Sequence, residues 1–139
     1  MARVHQVLKD LIPLTVPLSL YIHVPYCRRK CAYCDFFSLP EVPAAERFPV
    51  LQCSTEELHR FLQAAQPPSI ASIYIGGGTP NYLSLSELQL LCGAVSEAVQ
   101  DISDRMNGRR SSPDTPASPD WTVEVNPEFL TPEQLDCME

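Results

Sequence analysis

Three cysteines early in the chain, Cys27, Cys31 and Cys34, combine the residue type and the spacing of a metal-cluster loop. The spacing C-x3-C-x2-C places three thiolates on one tight loop, where they can hold three irons of a cubane iron–sulfur cluster. Since no fourth cysteine is close in sequence, one iron would remain open to a chelating small molecule. The alternative is a structural zinc site, which usually takes four protein ligands, and His23 could be the fourth.

Two later segments add groups that suit a small ligand. The glycines of 76–80 (GGGTP) allow close backbone approach and present unobstructed N–H and C=O groups. A glycine triplet alone is more typical of an ordinary turn, but its position after a strand and downstream of the cysteines favours a binding segment. The predicted strand 121–125 (WTVEV) is followed directly by Asn126. Strand alternation places Glu124 and Asn126 on one face, toward the interior of the domain. A carboxylate there suits bidentate acceptance from ribose hydroxyls. A surface-facing Glu124 is the alternative, but in a buried strand it would need a partner.

The elements that must position these residues alternate between strand and helix. Strands are predicted at 19–24, 70–75 and 121–125, since these runs are rich in β-branched and aromatic residues. Three capping-box patterns predict helix starts, at Ser54 with Glu57, Ser84 with Glu87, and Thr131 with Gln134. Residues 39–50, with three prolines, are predicted to be irregular. The order predicts an α/β fold with parallel strands, whose following loops converge on one face.

The domain organisation follows from composition. Residues 1–17 form a proline-punctuated lead-in segment, and 18–139 form the α/β region. Within it, about 101–120 is rich in Ser, Pro, Asp and Arg, which predicts a disordered insertion. A three-stranded parallel sheet would leave a bare edge, and the chain stops about two turns into its third helix. We therefore expect a truncated α/β domain.

The overall composition excludes several classes of function. The formal net charge is −7 and the pI about 4.9, which argues against binding to nucleic acid. No signal peptide is evident, and the apolar run 11–24 is too short and too interrupted to span a membrane. A cytoplasmic location is therefore expected, where six cysteines are more plausibly thiols or ligands than disulfides. Cys53, Cys92 and Cys137 lack metal spacing and receive no role.

Together these motifs resemble a known family. Residues 21–37 (YIHVPYCRRKCAYCDFF), then GGGTP, then EVNPE are similar to the radical S-adenosylmethionine (SAM) proteins, and more narrowly to the oxygen-independent coproporphyrinogen oxidase group. The resemblance implies the N-terminal half of a partial (β/α)6 barrel, built from three β/α units. It also implies a [4Fe–4S] cluster that cleaves SAM reductively to a 5′-deoxyadenosyl radical.

The resemblance assigns roles residue by residue. Cys27, Cys31 and Cys34 are the implied cluster ligands. The residues implied at the cluster and SAM are Tyr21, His23, Tyr33, Gly76, Gly77, Gly78, Thr79, Glu124 and Asn126. Among these, Tyr33 would flank the adenine or the cluster, the glycine segment would bind the SAM amino group, and Glu124 would bind the ribose.

One position separates the branches of the group. The coproporphyrinogen dehydrogenase has another cysteine two residues after the third ligand, whereas this chain has Phe36. That ending is similar to the HemW branch, which implies a haem chaperone, with haem or a porphyrinogen, respiratory proteins, and a reductant such as flavodoxin or ferredoxin as partners. The alternatives are a coproporphyrinogen oxidase, a remnant that is inactive on its own, and a zinc-binding interaction module.

Overall fold

A parallel sheet with helices on one face organises the chain. The computed structural model describes residues 14–107 and 118–138. The strands are β1 (Leu18–Val24), β2 (Tyr26–Cys27), β3 (Leu39–Pro40), β4 (Ile70–Gly77) and β5 (Asp120–Val123). The helices are α1 (Ala44–Ala65), α2 (Leu85–Asn107) and α3 (Pro132–Met138), with a turn of 3-10 helix at Pro80–Tyr82.

The main sheet has the order β1-β4-β5, and both of its pairings are parallel. Each parallel step requires a crossover, and helices α1 and α2 supply the two crossovers. The predicted α/β fold of three β/α units is therefore confirmed. The short strands β2 and β3 form a separate parallel pair, which closes the loop that carries the cysteines.

The core lies between one face of the sheet and helices α1 and α2. Alternate residues of the central strand, Ile73 and Ile75, are almost fully buried against it. Helix α2 contributes residues at the three- and four-residue spacing of an apolar stripe. These are Leu88, Leu91, Val95, Ala98 and Ile102. The opposite face of the sheet carries Tyr21 paired with Tyr74, both exposed to solvent.

The helix predicted to start at Ser54 begins much earlier, immediately after Pro43, so the prediction of irregular structure for 39–50 was wrong over residues 44–50. Ser54 lies mid-helix, and its hydroxyl donates to the carbonyl of Val50 at 2.8 Å instead of capping a terminus. Pro49 lies inside the helix, where it removes one backbone donor. The first turns are nevertheless anchored, because Arg47 forms a buried ion pair with α2.

The other two predicted helix starts are confirmed by reciprocal capping bonds. The backbone N–H of Ser84 donates to Glu87 at 2.7 Å, and the N–H of Glu87 donates to the Ser84 hydroxyl at 3.3 Å. Thr131 and Gln134 repeat the arrangement, with both bonds at 3.3 Å. Each box satisfies donors that a helix start leaves unpaired.

The predicted insertion at 101–120 was too long at its beginning. Residues 101–107 continue α2, because Ile102 extends the apolar stripe and is buried. Residues 108–117 lie outside the described residues, as do 1–13 of the predicted lead-in segment. The third strand ends at Val123, two residues before the predicted end at 125. Across the described ranges, none of the helices has both the length and the apolarity that a membrane span requires.

Candidate functional site

Three loops at the carboxyl ends of β1, β4 and β5 surround one open cavity of about 600 Å³. The loops are the cysteine loop (residues 27–38), the glycine segment (76–80) and the β5 loop (124–129). The residues that line the cavity are Cys27, Arg28, Arg29, Cys31, Tyr33, Cys34, Phe36, Ser38, Gly77, Gly78, Thr79, Glu124, Asn126, Glu128 and Phe129. The carboxyl ends of parallel strands share one edge of a sheet, so segments distant in sequence meet here.

The three cysteines predicted as cluster ligands all line this cavity. Cys27 and Cys34 are half-buried and Cys31 is exposed. The Cys27 Sγ accepts a hydrogen bond from the Thr79 hydroxyl at 3.6 Å, which ties the first cysteine to the glycine segment. Within the described part of the chain, no three His, Cys, Asp or Glu side chains are close enough to hold a single metal ion. Three thiols that line one cavity fit a cubane, which takes one thiolate per iron.

His23 has both ring nitrogens engaged beside the cysteine loop. Its Nε2 lies 2.9 Å from the carbonyl of Phe37, and a carbonyl can only accept, so Nε2 carries the proton. When the ring is neutral, Nδ1 accepts from the Tyr21 hydroxyl, also at 2.9 Å. Neither Tyr21 nor His23 lines the cavity. Because His23 has no free lone pair, it is poorly placed to be a fourth zinc ligand.

The glycine segment passes so close to its neighbours that side chains do not fit. A Cβ at Gly77 would lie 2.4 Å from the His23 ring, and Gly77 has a positive φ of 112°. A Cβ at Gly76, which does not line the cavity, would lie 2.8 Å from the Glu124 carboxyl. The N–H groups of Gly77, Gly78 and Thr79 all donate within the protein, to Glu124, Val24 and Tyr26. The amides of these three residues therefore hold the site together, and the carbonyls of Thr79 and Pro80 accept within the protein as well, from the N–H groups of Tyr82 and Leu83.

Glu124 projects into this arrangement with both carboxylate oxygens held. Oε1 accepts from the Tyr74 hydroxyl at 2.7 Å, and Oε2 accepts from the Gly77 N–H at 2.9 Å. The hydrogen bond to Glu124 raises the pKa of Tyr74. Each carboxylate oxygen keeps a second lone pair, so the fixed carboxylate can still accept from two neighbouring hydroxyls. Tyr74 was missed in the sequence, although its place two residues before Gly76 puts both on one face of β4.

Asn126 is held in place through its backbone. Its N–H donates to Asn81 Oδ1 at 2.7 Å, and its carbonyl accepts from Asn81 Nδ2 at 2.8 Å. The Asn126 side chain accepts from the N–H of Glu128 at 2.9 Å, which shapes the turn after β5. Asn81 is almost fully buried and was not predicted. It joins the β5 loop to the glycine segment.

Aromatic and basic residues complete the rim. Tyr33 is 88% exposed, and its hydrogen bond to Cys31 raises its pKa. Arg28 bridges the cavity to Glu128, with Nη1 3.2 Å from Oε1, and its guanidinium lies over the Phe129 ring at 5.7 Å. This exposed pair contributes little stability, but it connects the cysteine loop to the β5 loop across the opening.

A buried ion pair behind the site was also missed. Arg47 and Glu87 form two parallel hydrogen bonds, of 3.0 Å from Nε and 2.9 Å from Nη2. Burial pushes the pKa of Glu87 upward, but bonds from Arg47 and Ser84 more than offset it, so the pKa is lowered. No sequence pattern identifies Arg47, whose partner is 40 residues away.

Known proteins resemble this chain in sequence and in fold. No protein-family model matches it. The haem chaperone HemW of Haemophilus influenzae is 36% identical over 99 residues, which are 68% of this chain and 26% of that protein. HemW of Escherichia coli is 37% identical over 102 residues, which are 71% of this chain and 26% of that protein. The chain thus spans about a quarter of the length of these relatives.

The fold comparison agrees with the sequence comparison. The solved structure of coproporphyrinogen III oxidase (HemN) from Escherichia coli, described as a radical SAM enzyme, matches with a TM-score of 0.68 at 20% identity. The match covers 96% of this chain and 28% of that protein, and at this identity it establishes the fold alone. The sequence comparison shows that this chain belongs to the HemW family, and the fold comparison shows that it shares the fold of HemN.

Proposed function

We propose that Cys27, Cys31 and Cys34 hold a [4Fe–4S] cluster and that SAM binds beside it, in a HemW-like protein that handles haem. The observation that carries the proposal is the cavity itself. Three thiols, the glycine segment and the Glu124 carboxylate line one cavity of about 600 Å³, although they are far apart in sequence. A cluster bound there would supply the electron for reductive cleavage of SAM.

The protein's own residues would prepare the site for these groups. Glu124, held at both oxygens, would accept from the ribose hydroxyls without reorganising. The glycine segment would offer carbonyls to the SAM amino group. Tyr33 and Phe36 both line the cavity, where their rings would lie against the bound groups. His23 would keep the end of the cysteine loop in place through its bond to Phe37.

Haem delivery is favoured over porphyrinogen oxidation by two observations. The two curated relatives compared above are named haem chaperones, and Phe36 stands where the dehydrogenase has a further cysteine. By the same reasoning, the proposal includes haem as the ligand, and a reductant protein and haem-receiving respiratory proteins as partners. It also includes a cytoplasmic location, where the thiols stay reduced. Hemin titration monitored by the Soret band, compared with assays for coproporphyrinogen consumption, separates the two functions in a full-length protein.

Cysteine substitutions test the cluster. After anaerobic reconstitution, Cys27→Ala, Cys31→Ala and Cys34→Ala should each lose most of the bound iron and sulfide. Cys53→Ala is the matched control, because Cys53 is exposed and does not line the cavity. Retention of stoichiometric zinc without sulfide would support the zinc module instead. Equal iron in all four variants would contradict the assignment, and no iron in the parent chain would favour an inactive remnant.

A further inference from the structure

The buried pair Arg47–Glu87 lies directly behind the cysteine loop. Arg47 is 6% exposed and Glu87 is 1% exposed, so both charges are removed from water. The guanidinium also donates to the carbonyl of Val42 at 2.8 Å and lies over two tyrosine rings, Tyr26 at 5.9 Å and Tyr82 at 5.0 Å. One side chain therefore contacts four separate segments of the chain.

Two of these contacts flank the neck of the cysteine loop, which is the paired strands β2 and β3. Tyr26 directly precedes Cys27 in β2, and Val42 follows β3 by two residues. The neck itself is closed by backbone bonds, from Leu39 N–H to the carbonyl of Pro25 and from Glu41 N–H to that of Cys27. Arg47 thus contacts the neck at Tyr26 and the chain just beyond the neck at Val42.

The other two contacts lead to the glycine segment. Tyr82 ends the 3-10 turn that follows Thr79, and Glu87 caps α2 through Ser84. The Thr79 N–H donates to the carbonyl of Tyr26 at 2.8 Å. The ion pair therefore contacts both the base of the cysteine loop and the turn that follows the glycine segment.

Stability alone does not account for such a pair. A buried ion pair is costly to desolvate, and apolar residues of similar volume often serve stability equally well. An arginine fork instead fixes direction, because its donors have a rigid planar geometry. A geometric role therefore explains the pair better than an energetic one.

We propose that Arg47 and Glu87 are positioning residues that set the geometry of the cysteine loop against the glycine segment. The inference rests on the proposed function for its chemical meaning, since the loop is where the cluster would bind. The geometric claim itself can be tested on the chain without any cluster.

Hydrogen exchange on the cluster-free chain is the first test. The double variant Arg47→Met/Glu87→Gln removes both charges, while the amide introduced at position 87 remains able to complete the capping box. Its Leu39, Glu41 and Thr79 amides should exchange at least about tenfold faster than in the parent, while amides of β4 keep their protection. Leu62→Ala in the same helix is the control, because it destabilises the core without touching the neck.

The result that overturns the inference is equally specific. If the neck amides of the double variant exchange as in the parent, or accelerate no more than those of Leu62→Ala at matched stability, the pair is merely structural. Arg47→Lys, which keeps the charge and loses the fork, should be nearly as fast as the double variant. Full protection in Arg47→Lys would also contradict a role for the fork.

The second readout is the EPR spectrum after anaerobic reconstitution. The double variant should show altered g-values or an altered response to SAM, and Leu62→Ala should match the parent. A spectrum identical to the parent in the double variant would contradict the inference. If the parent takes up no cluster, the proposed function fails, and neck-amide exchange still decides the role of the pair.

Discussion

Two alanine substitutions of glycine should have opposite effects on stability. A Cβ at Gly78 would lie 2.7 Å from the Tyr26 carbonyl oxygen and 2.8 Å from that of Val24, and both are backbone atoms that cannot rotate away. In contrast, a Cβ at Gly93, on the exposed side of α2, would meet nothing within 4 Å. Comparing these two variants therefore tests whether close backbone approach at Gly78 holds the cysteine loop in place.

The magnitudes follow from these contacts. Overpacking in Gly78→Ala costs about 1–3 kcal/mol, and the strained bonds from Gly78 and Thr79 to β1 and β2 add about 1 kcal/mol, giving a loss of about 2–4 kcal/mol. Gly93→Ala should gain about 0.5–1 kcal/mol, because alanine is the better helix former and loses less backbone entropy on folding.

Urea unfolding followed by far-UV circular dichroism measures both changes. The midpoint should fall for Gly78→Ala and rise for Gly93→Ala, with the slope m unchanged. A Gly78→Ala variant within about 0.5 kcal/mol of the parent, the usual effect of a surface substitution, would refute the close approach. A destabilised Gly93→Ala would refute the open space around that position.

Three further predictions concern titration, packing and reactivity. The pKa of Glu87 is lower in the folded protein than its value of about 4.3 in the unfolded chain, so the ionised carboxylate stabilises the fold fully above that unfolded pKa. This stabilisation is lost as the pH falls through the folded pKa. The free energy of unfolding should therefore drop on acidification below about pH 5. Asn81→Ala removes both bonds to the Asn126 backbone and should destabilise by about 2–3 kcal/mol in the same urea assay. Burial raises the pKa of Cys92 to about 12, so at about pH 8 iodoacetamide should label Cys92 far more slowly than exposed Cys53 in mass-spectrometric peptide maps.

Each of these has an outcome that contradicts it. A flat stability profile between about pH 6 and about pH 3 would mean that the Glu87 carboxylate is not selectively stabilised in the fold. An Asn81→Ala variant as stable as the parent would mean that the two loops are held by other contacts. Labelling of Cys92 at the rate of Cys53 would mean that the α2 thiol is accessible in solution.

The sequence predicts the layout of the site because local rules govern it. Parallel pairing and the meeting of the loops follow from alternating strands and helices, and the capping boxes at Ser84 and Thr131 follow from side-chain chemistry within four residues. The register of β4 against β1 places Tyr74 beside Tyr21, and alternation within each strand does not specify that register.

The parts that could not be predicted depend on contacts between distant segments. Prolines near Pro49 indicate a loop locally, but the Arg47–Glu87 pair anchors a helix there. Asn81 is one polar residue in a turn until the fold brings it to Asn126, 45 residues away. The use of the glycine-segment amides within the protein likewise becomes visible only when β1 and β5 are in place.

The most direct test of the central claim is EPR of the anaerobically reconstituted, dithionite-reduced chain, recorded with and without SAM. An open-iron cluster would give about four irons per chain and a cubane signal that changes when SAM is added, because one iron has no protein ligand. A chain that takes up no cluster, or a signal indifferent to SAM, would contradict the claim that Cys27, Cys31 and Cys34 build an open-iron site in this cavity.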